Sequence, residues 1–235
     1  MNNTQIKNDI ISLIKKNRIS TVEVADALNK SGVIEGPKSL IKGKFVVGEV
    51  QYIYGHSETN WPIHEQAEKV KEGGILFVDT FHCNNKAAFG DIVAKYLILY
   101  KGVEGIVVNG LMRDAHTITK ENYPIWCNGI TPLGCYNTNI SPSKEILFDA
   151  ERRKKYFEGG IIICDDSGCT FIDKENITNE MYKKLSFIEL QEDIWYYCID
   201  TLKWSTYKTI CEKAYLKDKS DLPLSLRNKL EEYNL

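Results

Sequence analysis

Gly73-Gly74-Ile75-Leu76-Phe77-Val78-Asp79 and Gly105-Ile106-Val107-Val108-Asn109-Gly110 are short apolar runs, each opened by glycine. Runs of this length without polar alternation are expected of strands buried on both faces. Residues 88–101 lie between them and read as a helix. A further helix opens at Asn60-Trp61-Pro62-Ile63-His64, where Pro62 suits the first turn, and runs to Gly73-Gly74. The middle of the chain thus repeats helix, glycine, apolar strand and loop twice, which predicts a layered α/β domain.

Working outward, Phe45–Ile53 has strand composition. Ser20-Thr21-Val22-Glu23 has the pattern of a capping box, a hydroxyl followed three residues later by Glu, and opens a short helix ending near Ser31-Gly32. Residues 4–16 read as a first helix, because Ile6, Ile10, Ile11, Leu13 and Ile14 are broken by Lys7, Asn8 and Asp9. That is an amphipathic pattern and not the continuous apolar run of a signal peptide. On the other side, Ile161–Ile172 is centred on Asp165-Asp166-Ser167-Gly168 and reads as a β-hairpin closing the core. After about residue 176 the chain becomes helical and aromatic-rich, with Trp195, Tyr196, Tyr197 and Trp204. The expected organisation is an α/β core over 1–175 and a C-terminal helical extension over 176–235.

The 235 residues are enough to bury a full core without a disulfide or metal staple. Hydrophobic residues make up 43% and charged residues 26%, an ordinary globular balance. The net charge of −2 provides no basic field for nucleic acid or an anionic membrane. No stretch reaches the roughly 18 apolar residues that span a bilayer. A soluble, cytoplasmic protein with a small-molecule or protein partner is expected. The seven cysteines are odd in number and include no C-x-x-C pair; Cys164 and Cys169 come closest, across the hairpin turn. Reduced, buried thiols are expected, and the spacing does not suit zinc.

Two junctions can carry chemistry. In Ala87-Ala88-Phe89-Gly90-Asp91-Ile92-Val93 a glycine precedes a helix start, where unpaired backbone N–H groups attract anions and Asp91 suits the positive end of the dipole. In Val108-Asn109-Gly110-Leu111-Met112-Arg113-Asp114 the chain leaves the C-terminal end of a buried strand, where α/β proteins place ligands. Arg113 offers a fork of donors matched to a carboxylate, and Asp114 a hard oxygen ligand suited to Mg²⁺. An arginine beside a Lewis acid is what 2-oxo acid chemistry needs to stabilise an enolate. Taken singly, the first junction is also an ordinary helix cap and the second an ordinary surface ion pair.

Together these residues resemble the signature of the RraA-like family, which includes the 4-hydroxy-4-methyl-2-oxoglutarate (class II pyruvate) aldolases and the regulators of ribonuclease E activity. The resemblance covers Gly90–Ala94 and Gly102–Asp114, and extends to Thr21–Leu28, Gly73–Asp79, Pro124–Cys127 with Gly129 and Pro132, and Gly160–Ile172. It implies a swivelling β/β/α domain assembled as trimers or hexamers, with sites between subunits. It implies that Arg113 and the backbone around Gly90, Ile92 and Val93 bind the substrate's pyruvate oxygens. It further implies that Asp114 holds a divalent cation, Mg²⁺ or Mn²⁺, largely through water, and that Asp91 positions the water used in proton transfer. The implied reaction is lyase chemistry on a 2-oxo acid: retro-aldol cleavage to pyruvate, oxaloacetate decarboxylation, or both, through an enolate held by the metal and arginine. Between Asp91 and Arg113 lie 21 residues, one more than is usual in the family, which points to an extra residue in the helix or its following turn. Asn109 stands where many members carry Asp, and the aromatic tail is longer than the family's. That tail is compatible with a second reading, a non-catalytic protein-binding regulator; retention of Asp114 favours the enzyme. A lyase or isomerase acting on a sugar-derived acid would share the site.

Other residues are weaker candidates. His116 reaches the Asp114 face if its segment is extended, and His82 follows the strand ending at Asp79. His56 and His64 read as surface or helix residues. Cys83 beside His82 is a sequence neighbour pair and not a nucleophile–base pair. Asp165-Asp166 reads as a turn. Glu189 and Glu192 share a helical face that reads as solvated, although a neighbouring subunit's glutamate joins the metal shell in the aldolases. The run Trp195, Tyr196, Trp204 and Tyr207 reads as core or subunit packing, since base stacking would need interleaved Lys and Arg.

Overall fold

Leu76 and Val78 point to one side of their strand and Ile75 and Phe77 to the other, and all four are fully buried. The next strand repeats the division, with Ile106 and Val108 on the first side and Val107 on the second. In the computed structural model, which describes residues 3–233, these runs are the centre of one sheet with helices on both sides.

The first of two compact units ends at Thr178. Its elements, in order, are α1 (Asn3–Asn17), α2 (Thr21–Ala27), β1 (Val33–Ile34), β2 (Lys38–Ser39), β3 (Val46–His56), α3 (Trp61–Ala67), β4 (Ile75–Phe81), α4 (Asp91–Lys95) running into a π-helical turn (Tyr96–Tyr100), β5 (Gly105–Met112), α5 (Ala115–Lys120), β6 (Ile125–Ile130), α6 (Lys144–Phe157), β7 (Ile161–Asp165) and β8 (Gly168–Ile172). The sheet order is β1-β8-β7-β3-β4-β5-β6-β2. The long β3 serves two neighbours: Val46–Glu49 pairs antiparallel with β7, and Val50–His56 pairs parallel with β4. β4, β5 and β6 continue in parallel, so their C-terminal ends share one edge.

One face of this parallel part packs against α3, α4 and α5, through Ile63, Ala94, Leu97 and Ile118 among others. The other face packs against α6 and the β7–β8 hairpin, where Phe77 stacks on Phe157 with centroids 4.2 Å apart. Each fully buried aliphatic or aromatic side chain contributes roughly 1.5–3 kcal/mol, so the two cores outweigh any single polar contact.

The capping box is formed: the Ser20 hydroxyl accepts from Glu23 N–H at 3.2 Å, and the Glu23 carboxylate accepts from Ser20 N–H at 2.7 Å. Other boundaries differ from the sequence expectation. α3 stops at Ala67 rather than at Gly73, because Gln51 takes over the backbone beyond it: its side-chain oxygen accepts from Lys71 N–H at 2.8 Å and its amide nitrogen donates to the Lys71 and Gly73 carbonyls. Residues 88–90 are not helical, and the helix begins at Asp91. Within that helix the Tyr96–Tyr100 turn is π-helical, the geometry by which a helix accommodates one extra residue. α6 has no counterpart in the sequence expectation, though Ser143 caps it and Ile146, Ala150 and Phe157 bury its inner side.

The second unit begins at Asn179 and comprises α7 (Asn179–Asp200), a π-helical turn (Tyr207–Cys211), α8 (Ala214–Lys217) and α9 (Leu224–Glu232). It has its own core of Leu190, Ile194, Cys198, Tyr215, Leu222 and Leu230. Trp195 Nε1 and Gln191 Nε2 both donate to the buried Tyr215 hydroxyl at 3.2 Å, so part of the aromatic run is core. Tyr196 and Tyr207 remain exposed. Among the described residues no helix is long and apolar enough to cross a membrane.

Candidate active site

β5 does not run straight into its loop. Its register with β6 shifts between Val108 and Leu111, so Asn109-Gly110 forms an irregularity that re-aims the end of the strand. Beyond it, Met112 pairs with Ile130 and the chain turns sharply at Asp114, which adopts a left-handed conformation (φ 59°, ψ 34°). Such a conformation is uncommon outside glycine, although Asp tolerates it better than most residues. The link from β4 to α4 passes beside this turn through isolated β-bridges at Ala87. Ala88 N–H donates to Leu111 C=O at 2.8 Å, Ala87 N–H to Leu133 C=O at 2.8 Å, and Cys135 N–H to Ala87 C=O at 3.0 Å.

This arrangement brings the two junctions together. Arg113 N–H donates to Phe89 C=O at 3.2 Å, and Asp91 N–H approaches Asp114 Oδ2 at 3.4 Å. Gly90 lies so close to Asp114 that a Cβ at that position would stand 1.8 Å from Oδ2. Any side chain at 90 would displace the carboxylate, so glycine is required by close approach. Gly134 lies under Arg113, where an added Cβ would meet Nη1 at 2.4 Å and shift the guanidinium.

The Arg113 and Asp114 side chains are 46% and 38% exposed, and their mutual contact is a single long one, Nε to Oδ2 at 3.4 Å. Most of the guanidinium's donors and one carboxylate oxygen therefore remain open to a ligand. Asp91 is half-buried at the first position of α4, Val93 is buried and Ile92 is 79% exposed. The first helical bond of α4 is donated by Ala94 to Gly90 C=O, so the N–H groups of Ile92 and Val93 precede the ladder and face the Gly90–Asp114 corner. The combination of an unsaturated guanidinium, a carboxylate and a helix start can bind a carboxylate or 2-oxo acid and still offer a hard oxygen to a cation.

The other candidates are placed elsewhere. His116 is on helix α5, so its segment is not extended; its side chain is exposed. His82 is exposed with φ 54° just past β4. His64 is on α3. His56 is not a surface residue: it ends β3, is buried, has no hydrogen-bond partner at Nδ1, and burial pushes its pKa below the usual value. Asp165 accepts from Thr21 N–H, the Thr21 hydroxyl and Ser167 N–H, and Asp166 accepts from Gly43 N–H, so this pair is a turn and loop anchor. Glu189 and Glu192 lie on α7 of the second unit.

Sequence reading did not find Gly134, whose only local signal is a Pro132-Leu133-Gly134 turn composition. It also missed a buried network at the end of β4. Asp79 receives a two-point contact from Arg153, Nε to Oδ2 at 2.7 Å and Nη2 to Oδ1 at 2.8 Å. It also accepts from the Tyr52 hydroxyl at 2.9 Å and from Asn109 Nδ2 at 2.7 Å. Burial, reinforced by the Asp79 charge, pushes the Tyr52 phenol well above its usual value. Asn109 thus occupies a structural position, donating to a carboxylate.

Comparison with known proteins places the chain in a family and a fold. The RraA-like model (Aldolase/RraA) matches residues 21–170. The chain is 25% identical to protein DlpA of Legionella pneumophila over 183 residues, 74% of this chain; it spans only 29% of that protein's length. It is 26% identical over 195 residues to a Halalkalibacterium halodurans protein named "Putative 4-hydroxy-4-methyl-2-oxoglutarate aldolase", covering 74% of this chain and 83% of that one. Among solved structures, an uncharacterized protein from Pseudomonas syringae superposes with a TM-score of 0.62 at 19% identity, over 86% of this chain and 96% of that one. Streptomyces coelicolor RraAS2, described as an unusual member of the RNase ES inhibitor RraA family, gives 0.60 at 20% identity, over 78% and 95%. These likenesses establish the fold.

Proposed function

The chain belongs to the RraA-like family, and from that membership we propose that it is a divalent-metal-dependent lyase acting on a 2-oxo acid at the Gly90–Arg113–Asp114 corner. The observation that carries this reading is the unsaturated Arg113 fork, held over Gly134 and beside the Asp114 carboxylate. A structural ion pair would be closer and two-pronged.

Arg113 binds the substrate carboxylate or the adjacent 2-oxo oxygen, and the Ile92 and Val93 N–H groups take a second oxygen. Asp91 holds the water that accepts the C4 hydroxyl proton of a 4-hydroxy-2-oxo acid. The C3–C4 bond then breaks, its electron pair becomes an enolate, and C3 is reprotonated from the same water to give pyruvate. Oxaloacetate reaches the same enolate without the first proton transfer: its C3–C4 bond breaks with loss of C4 as CO₂, and C3 takes a proton from the Asp91-held water, whose hydroxide is neutralised by solvent. The donor set suits a hard ion held mostly by water: Asp114 is one carboxylate, and among the described residues no group of three or more His, Cys, Asp or Glu could form an all-protein cage. When bound there, Mg²⁺ or Mn²⁺ supplies Lewis-acid stabilisation of the enolate oxygen.

The apolar row Ile92, Tyr96, Leu99 and Tyr100 is exposed on the helix that starts at this corner. A homo-oligomer, trimeric or hexameric, would cover it and complete the site. Light scattering tests this; a monomer at micromolar concentration would refute it.

The test of function is pyruvate release from oxaloacetate and from 4-hydroxy-4-methyl-2-oxoglutarate, with Mg²⁺ or Mn²⁺ and with excess chelator. Metal-dependent turnover lost in Asp114→Ala supports the reading. Folded protein inactive on both compounds would favour the second reading, a protein-binding regulator, for which the exposed Tyr196, Tyr207 and Leu224 of the helical unit speak.

A further inference from the structure

Only Leu111 and Met112 separate the β5 irregularity at Asn109-Gly110 from the Arg113-Asp114 turn. Val108 pairs with Cys127 and Leu111 with Gly129, so β5 carries one residue more than β6 over this step. Where that extra residue is held decides the position of everything after it. Two consecutive residues of β4, Asp79 and Thr80, hold it.

Consecutive strand residues face opposite sides of a sheet, and here both sides are used. Asp79 faces α6 and takes the Asn109 side chain, whose Nδ2 donates to its Oδ1 at 2.7 Å. Thr80 continues the side of Leu76 and Val78, and its hydroxyl donates to Asn109 C=O at 2.8 Å. The Gly110 backbone packs directly on the same side chain: a Cβ there would stand 2.3 Å from Thr80 Oγ1 and 2.7 Å from its Cγ2. Thr80 is itself fixed. β4 goes on pairing with β3, Thr80 opposite Gly55 and Phe81 opposite His56, after its register with β5 has ended at Asp79 and Asn109. The hydroxyl therefore takes over where the β4–β5 ladder stops. Just beyond, Leu111 C=O accepts from Ala88 N–H and Arg113 N–H donates to Phe89 C=O, which ties the re-aimed strand to the Gly90 side of the corner.

We propose that Thr80 is a positioning residue for the Arg113–Asp114 corner: its hydroxyl, with the Gly110 backbone packed on it, locks the extra residue of β5 that aims Arg113. It acts through the backbone and not on the reacting atoms. The lock is independent of the lyase reading; its effect on turnover rests on that reading.

The test compares full-length wild type, Thr80→Val and Thr80→Ser by NMR-detected amide hydrogen exchange, and by turnover of oxaloacetate and of 4-hydroxy-4-methyl-2-oxoglutarate with Mg²⁺. Thr80→Val nearly keeps the shape and removes the donor, whereas Thr80→Ser keeps the donor. The Arg113 amide should exchange about 2–10-fold faster in Thr80→Val and return to the wild-type rate in Thr80→Ser. The Ile106 and Val107 amides, before the irregularity, should not change. kcat/KM should fall about 10–10²-fold in Thr80→Val, the effect of misplacing a binding group by about 1 Å, and recover in Thr80→Ser. Thr80→Ala, which puts no new methyl against the carbonyl, serves the same comparison where Thr80→Val does not fold. An Arg113 amide indifferent to loss of the hydroxyl would overturn the proposal. Equal acceleration along all of β5 would overturn it too, as the mark of a destabilised fold, and so would unchanged turnover or a loss that Thr80→Ser does not rescue. Wild type inactive on both compounds, with the exchange pattern present, would refute the lyase reading and leave the lock standing.

Discussion

The molecule contains two Arg–Asp pairs at the same edge of one sheet, and they could hardly differ more. At the end of β4, Arg153 grips Asp79 with two bonds of 2.7 and 2.8 Å, Tyr52 and Asn109 fill the remaining acceptor positions, and the Asp79 side chain is 2% exposed. At the end of β5, Arg113 and Asp114 touch once at 3.4 Å and both remain substantially exposed. A saturated buried pair has no capacity left for a ligand and serves the fold. An unsaturated pair on a left-handed turn contributes little to the fold and leaves its donors unspent.

The largest effect that would sharpen this contrast is on stability. Arg153→Met strands the Asp79 charge in the core and should cost about 3–5 kcal/mol by urea unfolding, whereas the double variant with Asp79→Leu should recover much of the loss. A wild-type-like midpoint for Arg153→Met would break the comparison. Arg113→Ala should do the reverse, leaving the midpoint within about 0.5 kcal/mol while lowering turnover of a 2-oxo acid about 10²–10³-fold. Unchanged turnover in an active preparation would remove Arg113 from the site. Tyr52→Phe deletes one hydrogen bond to a charged acceptor, and about 1.5–3 kcal/mol of lost stability with unaltered KM is expected.

The smallest expected effect concerns pH. Buried His56 holds its proton less tightly when folded than at the ordinary value of 6.5. The unfolded chain therefore binds more protons as pH falls. Stability is complete above 6.5, declines as pH drops through that value, and levels off once the folded imidazole also protonates. Thermal melts at pH 7.5 and 5.5 should show a decline in Tm that is about 1–3 °C smaller in His56→Gln. An identical decline in both proteins would show that other groups set the acid sensitivity.

Much of the fold was legible because its signals are local. The apolar runs at Ile75 and Ile106 declare strands covered on both faces, and the Ser20–Glu23 box writes its own hydrogen bonds. The spacing between Asp91 and Arg113 carried one residue more than the family's usual count, and a π turn lies between them at Tyr96–Tyr100. The end of α3 was illegible because it depends on Gln51, a residue on another strand. Burial of His56 was illegible for a similar reason, since only the covering loops decide it.

The sequence by itself determined that this is an α/β chain and that its two glycine-led strands form the centre, and it pointed to Gly90-Asp91 and Arg113-Asp114 as the junctions on which the proposed site is built. Periodicity, composition and side-chain chemistry are local properties and survive without coordinates. Only the tertiary structure decided which arginine is spent on the fold and which is left free, and that Gly134 lies beneath Arg113. Those outcomes depend on which distant segments the sheet order and the β5 irregularity bring into contact, and saturation of a charged group is a property of all its neighbours at once.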